Sequence, residues 1–229
     1  GRLPIITKLY EEGRREKLLT GEAALALLAL FGIPVARGAV AGSRKALLRA
    51  AASLQFPVVL KLSGPAFLHK SEWNGVITGI ISRQGLLRAY DTLIENVRQR
   101  NPDQAVDAFQ VQEQASGKEL ILGLKRDPQF GHIVACGLGG IYTEVFRDVS
   151  RELVPIGRET TYGMLSSLKI YPLLAGTRGE AGVNMEAVAD ALERLSFLAA
   201  EIPDIAELDI NPLVAAADGC VAVDARIIW

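Results

Sequence analysis

The stretch FPVVLKLSGPAFLHKSEWNGVITGI, residues 56–80, joins two apolar runs through a polar segment. FPVVLKL predicts a buried strand at 56–62, and GVITGII predicts a second strand at 75–81, because both runs are short, apolar and bounded by glycine, proline or serine. Between them lies His69, one of two histidines in the 229-residue chain. From residue type alone, His69 is open to three roles: a buried hydrogen-bonding residue, a metal ligand or a nucleophile.

The composition is that of a globular protein and excludes some classes of partner. Hydrophobic residues make up 49% of the chain and charged residues 22%, which is enough apolar surface for a substantial core. A formal net charge of −1 gives no electrostatic reason to expect nucleic acid or a membrane surface as a partner. No apolar run reaches the ~18 residues of a membrane span. Cys136 and Cys220 lie far apart in apolar runs, which indicates a reducing, cytoplasmic protein.

The order of apolar patterns predicts an α+β chain in two lobes. Thr20, Ser43 and Ser82 each precede an apolar-periodic segment and are predicted to cap helices at their N-termini. After residue 104 the pattern changes to successive strands, followed by an amphipathic helix at 185–202. The end of the chain predicts a hairpin that turns at Asp218-Gly219. The predicted division is an N-terminal linker or helix at 1–20, an N-terminal lobe at 21–112 and a C-terminal lobe at 113–229.

Lys61 lies inside the apolar run PVVLKL. An ammonium group at such a position has to reach out of the sheet or meet an anion, because an unpaired buried charge costs several kcal/mol. The residues alone leave both alternatives open, a lysine whose head reaches water and a lysine that binds a ligand anion.

The segment ELDIN carries three oxygen-bearing side chains, Glu207, Asp209 and Asn211. Strand alternation places them on one face, and Asp224 is within reach on the partner strand of the hairpin. Such a set suits a hard cation of the Mg²⁺ kind. A solvated sheet face is the alternative, although the apolar residues between the acids favour a largely buried strand.

Two glycine-containing segments give weaker indications. GLGG, residues 137–140, has a backbone that can approach an anion, but a plain turn is the more ordinary interpretation. QEQASGKEL places Glu113 and Glu119 around Ala-Ser-Gly at the predicted lobe boundary. By itself this second segment is a linker.

Together these motifs resemble the ATP-grasp portion of the NDP-forming acyl-CoA synthetases, a family that includes the ADP-forming acetyl-CoA synthetases and, more distantly, succinyl-CoA synthetase. The resemblance rests on FPVVLKLSGPAFLHKSEWNGV, VQEQASGKELILGLKRDPQFG, GLGGIYTEVFRDV, LLAGTRG and ELDINPLVAAADGCVAVDARI, in that order. It implies an ATP-grasp fold, in which two lobes clasp a nucleotide. It also implies a reversible reaction in which acyl-CoA, ADP and phosphate give the free acid, CoA and ATP.

The resemblance assigns a catalytic role to the HKS segment. In the family, phosphate passes from an acyl phosphate to a histidine of a CoA-binding component, and a second histidine, in HK[ST], relays it to ADP. His69 occupies that position, and a neutral imidazole is nucleophilic near neutral pH. By their positions, Lys70 is expected to assist at the phosphate and Glu144 to line the phosphohistidine's docking site with GLGG.

The resemblance also assigns the nucleotide and metal contacts. Lys61 matches the lysine that meets the nucleotide phosphates. The hinge that holds adenosine is expected to comprise Glu113, Gln114, Ala115 and Glu119. Asn211 and Asp224 match the Mg²⁺ ligands, with Asp209 beside them. ATP or ADP and Mg²⁺ are therefore the expected cofactors.

One departure from the family pattern affects the relay. The family usually reads HKSDVGGV, and this chain reads HKSEWNGV, with Trp73 and Asn74 in place of smaller residues. If the replaced glycine adopts a positive φ, asparagine is the least costly substitute. If that glycine instead allows close approach to phosphate, Asn74 weakens the relay.

The expected partners follow from what the motifs lack. A CoA-binding fingerprint and the other histidine-bearing component are not visible, so an α-type component is expected as a separate subunit or a fused domain, together with a small acid and its acyl-CoA. The chain begins GRLPII without methionine, which favours the fused arrangement. A non-catalytic, ligand-sensing module of a protein lysine acetyltransferase is the rival hypothesis. A carboxylate–amine ligase is a weaker one, because HKS has no role in that mechanism.

Overall fold

The computed structural model describes residues 3–67, 70–139, 148–177, 179 and 181–229. The chain forms two compact units. The smaller unit is Ala36–Gln114, and the larger unit comprises the residues up to Val35 together with Ala115–Trp229. The chain passes from the larger unit to the smaller at Val35–Ala36 and returns at Gln114–Ala115. Residues 21–35, which were expected in the N-terminal lobe, belong to the larger unit.

The first elements explain this grouping. They are α1 (Leu3–Glu16), β1 (Leu18–Thr20) and α2 (Gly21–Leu30). β1 pairs antiparallel with the last strand of the chain, with Leu18 opposite Ile228. Thr20 is the N-cap residue of α2, as predicted, but its side chain makes no capping hydrogen bond.

The smaller unit is an antiparallel sheet with helices on one face. Its elements are β2 (Gly38–Ala41), α3 (Arg44–Ala51), β3 (Val58–Ser63), β4 (Val76–Ile80), α4 (Arg83–Arg100) and β5 (Ala108–Glu113), with 3-10 turns at Pro65–Phe67 and Lys70–Trp73. The strand order is β2-β5-β3-β4. Both predicted serine caps are confirmed: Ser43 Oγ accepts from the Ala46 amide at 3.2 Å and Ser82 Oγ from the Gly85 amide at 3.1 Å.

The larger unit is built on a second antiparallel sheet. Its further elements are β6 (Lys118–Asp127), β7 (Gly131–Leu138), β8 (Val149–Leu153), α5 (Arg158–Ser166), α6 (Tyr171–Ala175), α7 (Met185–Glu201), β9 (Glu207–Ala216), β10 (Gly219–Ala222) and β11 (Ala225–Ile228). The strand order is β1-β11-β9-β6-β7-β8, and β10 also pairs with β9. α7 confirms the helix predicted at 185–202.

The C-terminal hairpin differs from the prediction in one respect. The turn at Asp218-Gly219 is present, but the returning chain is divided into β10 and β11, both paired with β9. The division lies at Val223–Asp224, opposite Pro212. Pro212 has no amide hydrogen to donate, so the regular ladder loses a hydrogen bond there. The register is nevertheless continuous on both sides of the division.

The larger core lies on one face of its sheet. Side chains of α2, α5 and α7 pack against Leu120, Leu122, Leu208 and Ile210 in one buried cluster. Alternation then turns the remaining side chains of β6 and β9 to the other face, where the polar residues lie. None of the helices within the described ranges is long and apolar enough to cross a membrane.

Candidate functional site

Lys61 lies on the face of the smaller sheet that points away from the helices. Its neighbours Leu60 and Leu62 belong to the helix-facing core, and strand alternation turns Lys61 to the opposite face. β3 is an interior strand, in which Lys61 lies opposite Gln110 of β5 and Val76 of β4. Only 5% of Lys61 is exposed. This burial favours a lysine whose ammonium group meets a binding partner over one whose head reaches bulk water.

Gln112 shares this face and was missed in the sequence. It is 1% exposed, and neither its Nε2 nor its Oε1 has a hydrogen-bond partner among the described residues. Gly38 lies opposite and makes room for it, because a Cβ at Gly38 would be 2.6 Å from Gln112 Cγ. A buried amide with both groups unsatisfied is uncommon, and an ordered water or a ligand that supplies a donor and an acceptor would satisfy it. The signal in the sequence was the alternation of β5, in which 110 and 112 share a face.

The predicted hinge residues are divided between local contacts and exposed positions. Glu113 Oε1 accepts from the Gln55 amide at 2.9 Å and pairs with Arg37 at 3.3 Å, so its carboxylate is engaged within the smaller unit. Gln114 Oε1 accepts from the Gly79 amide at 2.6 Å. Ala115, half-buried, begins the larger unit, and Glu119 is exposed near the start of β6. Contact of these four residues with a nucleoside stays a prediction.

The HKS segment is described from Lys70 onward, and His69 lies outside the described residues. Lys70 is half-buried and begins a 3-10 turn that ends at Trp73, whose ring packs edge-on against Phe67 at 5.3 Å between centroids. Asn74 has a φ of 46°. The position therefore requires the left-handed conformation, for which asparagine is a low-cost substitute for glycine. Trp73 and Asn74 are accommodated by packing and by backbone geometry.

The glycine loop is described as far as Gly139, and Glu144 lies outside the described residues. The Gly139 amide donates to the Glu119 carbonyl at 2.9 Å, and a Cβ at this position would lie 2.8 Å from the carbonyl carbon of Leu120. Close packing of β7 against β6 thus already requires a glycine here. A ligand contact of the loop stays a prediction.

The two predicted Mg²⁺ ligands lie opposite each other in the larger sheet. The continuous register of β9 with β10 and β11 pairs Asn211 with Asp224, and the Asn211 amide donates to the Asp224 carbonyl at 3.1 Å. Directly opposed residues send their side chains to the same face at a separation of about 5 Å between Cβ atoms. The predicted juxtaposition of these two oxygen donors is therefore present in the fold.

Asp209 and Glu207 lie on the same face but are engaged by an arginine. Arg226 lies opposite Asp209, and its Nη2 donates to Asp209 Oδ2 at 2.8 Å and to Glu207 Oε1 at 2.9 Å. The hydrogen bond to Asp209 raises the pKa of Arg226 above its ordinary value. The two acids also line a cleft of about 320 Å³ whose other walls include Lys125 and Arg151. Sequence reasoning did not anticipate this arginine bridge.

The two oxygen donors Asn211 and Asp224 suit a Mg²⁺ ion that has few protein ligands, and not a metal ion that is coordinated by protein alone. Among the described residues, no group of three or more His, Cys, Asp or Glu is placed to hold a metal ion. Mg²⁺ is usually bound through one or two protein ligands and completes its shell with phosphate oxygens and water. Asn211 and Asp224 supply that number of oxygen donors.

The other histidine and the cysteines have structural positions. His132 is the second residue of β7, and its Nε2 is hydrogen-bonded to the Ile205 carbonyl at 2.8 Å. Cys136 and Cys220 are buried free thiols, and burial raises their pKa values to about 12 and about 11. At neutral pH both remain protonated and unreactive.

Comparison with known proteins places this architecture in a family. The ATP-grasp domain family matches residues 10–228. The β subunit of an ADP-forming acetate–CoA ligase from Pyrococcus furiosus is 40% identical, over 98% of this chain and 96% of that subunit. An ADP-forming acetate–CoA ligase from Archaeoglobus fulgidus is 38% identical over 98% of this chain, which spans only 32% of that longer protein.

A solved relative has the same fold. Acetyl-CoA synthetase 1 from Ca. Korarchaeum cryptofilum, in complex with coenzyme A, Ca-AMPCP and HgCl⁺, superimposes with a TM-score of 0.91 at 39% identity, covering 97% of this chain and 98% of that one. Another structure of it holds coenzyme A and Mg-AMPPCP, with a phosphohistidine segment pointing towards the nucleotide-binding site (TM-score 0.84, 36% identity, 98% and 99% covered).

This chain belongs to the ATP-grasp domain family. Its relatives include the β subunit of one ADP-forming acetate–CoA ligase and the corresponding part of another. The predicted α+β fold and the predicted family are both confirmed.

Proposed function

We propose that this chain is the nucleotide-binding component of an ADP-forming acyl-CoA synthetase and that it transfers phosphate between a phosphohistidine and ADP. The observation that carries the proposal is the pairing of Asn211 with Asp224 in the larger sheet. The fold that contains this sheet is shared with relatives whose structures hold nucleotide analogues. The buried Lys61 and Gln112 of the smaller unit supply a cation and an unsatisfied amide, which suit a polyphosphate and a base.

Each group has a role that its chemistry supports. His69 would carry the phosphoryl group; the N–P bond breaks as an oxygen of the ADP β-phosphate forms the new P–O bond, and the imidazole leaves neutral after taking up a proton. Lys61 would neutralise phosphate charge, and Lys70, next to His69 in the sequence, would assist at the phosphate. Asn211 and Asp224 would hold Mg²⁺, which supplies charge neutralisation and alignment of the phosphates. Arg226 would keep Asp209 beside that pair.

The proposal includes a partner and a location. A CoA-binding, α-type component is expected as a separate subunit or a fused domain, since one relative is a separate β subunit and another is a single longer chain. A small organic acid and its acyl-CoA are the expected substrates of the complete enzyme. The cytoplasmic location, expected from the cysteines, remains part of the proposal.

The direct test is labelling with γ-³²P-ATP and Mg²⁺. We expect an acid-labile, base-stable label on one histidine, mapped by mass spectrometry, that returns to ATP when unlabelled ADP is added. The same experiment is repeated with the CoA-binding component present. Nucleotide binding by calorimetry without any label in either experiment would contradict the relay and favour a ligand-sensing module.

Gln112 provides a test of the nucleotide contact. Gln112→Leu is expected to raise the Kd for ADP about tenfold, because the loss of one hydrogen-bonding side chain costs about 1–3 kcal/mol. It is also expected to raise the free energy of unfolding of the ligand-free protein slightly, because an unsatisfied buried amide is removed. Calorimetry and urea denaturation measure the two effects.

The opposite signs separate a binding role from a structural one. Gln99→Leu on the exposed part of α4 serves as the matched control, and we expect neither effect from it. An unchanged ADP affinity in Gln112→Leu would show that this amide does not contact the nucleotide.

A further inference from the structure

Arg226 forms a bridge that the proposed relay does not by itself require. A single nitrogen, Nη2, donates to both Glu207 and Asp209, at 2.9 Å and 2.8 Å. Two carboxylates of β9 are therefore held by one guanidinium group on β11. All three side chains are partly exposed, so the bridge is accessible to ions and can be exchanged for other contacts.

The bridge adjoins the proposed metal ligands. Asp209 and Asn211 are two residues apart on β9, and Arg226 and Asp224 are two residues apart on the paired strand. Alternation places all four on one face, with about 7 Å between successive pairs along the strand. Arg226 and Asp209 thus form the pair next to the proposed metal ligands on this face.

Arg226 contacts two of the acidic side chains on this face, and Lys125 and Arg151 line the same cleft. Glu207, Asp209 and Asp224 bring three carboxylates to a short length of sheet, together with the amide oxygen of Asn211. Glu207 Oε1 and Asp209 Oδ2 both contact one nitrogen of Arg226, so without the arginine these two carboxylates could share a divalent cation in the absence of nucleotide, since affinity rises with the number of charged ligands. Arg226 engages two of the three, which leaves one carboxylate and one amide.

We propose that Arg226 is a positioning residue that keeps Glu207 and Asp209 out of metal coordination, so that the divalent cation binds with the nucleotide phosphates and not ahead of them. The inference rests on the proposed function, because it takes Asn211 and Asp224 as the metal ligands. Two protein ligands leave most of the octahedral shell of Mg²⁺ for phosphate oxygens and water. Without Arg226, a site occupied by a more fully protein-bound cation would accept the nucleotide less well.

The test measures cation binding in the absence of nucleotide. Mn²⁺ serves as the probe, and its free concentration is followed by electron paramagnetic resonance in titrations of the nucleotide-free protein. Arg226→Met is expected to bind Mn²⁺ at least about tenfold more tightly than the unsubstituted protein, because two carboxylates become available. Arg226→Lys should remain close to the unsubstituted protein, because it retains a positive charge.

Two further variants exclude a general effect of charge or folding. Glu207→Gln with Asp209→Asn, introduced into Arg226→Met, should abolish the gain in Mn²⁺ affinity. Lys125→Met removes a positive charge from the same cleft without removing the guanidinium bridge, and should leave nucleotide-free Mn²⁺ binding within about twofold of the original. An equal gain in Lys125→Met would overturn the specific role of Arg226.

A second readout connects the bridge to nucleotide binding. In ATP–ADP exchange, Arg226→Met should raise the KM for Mg-ADP more than it lowers kcat, whereas a general structural defect would lower kcat by loss of active protein. If the unsubstituted protein binds Mg-ADP by calorimetry but Arg226→Met changes neither Mn²⁺ affinity nor KM, the inference is wrong and the proposed function stands. If the unsubstituted protein binds no Mg-nucleotide, the proposed function itself fails.

Discussion

His69→Ala is expected to abolish the labelled phosphohistidine and to lower ATP–ADP exchange by about 10³-fold or more, because no other group forms the covalent intermediate. The chain contains two histidines. A phosphohistidine in this chain can therefore form only at His69 or His132, and mass spectrometry separates it from a phospholysine, which has the same acid lability and base stability. Loss of exchange with ADP binding retained, measured by calorimetry, would locate the defect in phosphoryl transfer.

His132 provides the matched control. Its Nε2 is hydrogen-bonded to the Ile205 carbonyl at 2.8 Å, which is a structural contact within the larger unit. His132→Gln keeps a hydrogen-bonding side chain and is expected to retain labelling and exchange. If the label persists in His69→Ala and disappears in His132→Gln, the relay is at His132, and the role assigned to the HKS segment is refuted.

The sequence predicted most of the local structure because its signals are local. The serine caps, the strand alternation of ELDIN and the amphipathic helix at 185–202 depend on residues a few positions apart. The opposition of Asn211 and Asp224 was also predictable, because a short turn at Asp218-Gly219 brings their strands together. The positive φ of Asn74 agrees with the first alternative stated for it, because asparagine tolerates this conformation better than most residues.

The remaining features depend on pairing between distant segments. β1 joins the larger unit through β11, a contact between opposite ends of the chain that no local pattern encodes. Arg226 was overlooked because its importance depends on the register that sets it against Asp209. Gln112 was not predicted because its burial depends on the pairing of β5 with distant strands. The adjacent acid Glu113, which was predicted to bind nucleoside, is instead engaged by Gln55 and Arg37.

Lys61→Met is expected to lower kcat/KM for Mg-ADP in ATP–ADP exchange by about 10²-fold, because one cation at a transferring phosphoryl group contributes about 3 kcal/mol. Methionine retains much of the buried volume of the lysine stem but no charge. Lys61 has an interaction within the protein, and removing one partner of a buried interaction leaves the other unsatisfied. Urea denaturation should therefore give a free energy of unfolding below that of the unsubstituted protein, and exchange is measured at temperatures at which the variant is folded.

A loss of kcat/KM in Lys61→Met protein that is folded in the absence of urea would distinguish a role of Lys61 in phosphate binding from a role in folding. Lys45→Met, on the exposed surface of α3, removes the same charge from the same unit and is expected to leave exchange within about twofold. Lys61 is 5% exposed on an interior strand, so a hydrated cation from the solvent cannot take the place of its ammonium group in Lys61→Met. A Lys61→Met protein with unchanged kcat/KM would mean that the phosphates are neutralised elsewhere, and that this buried lysine serves only the fold of the sheet.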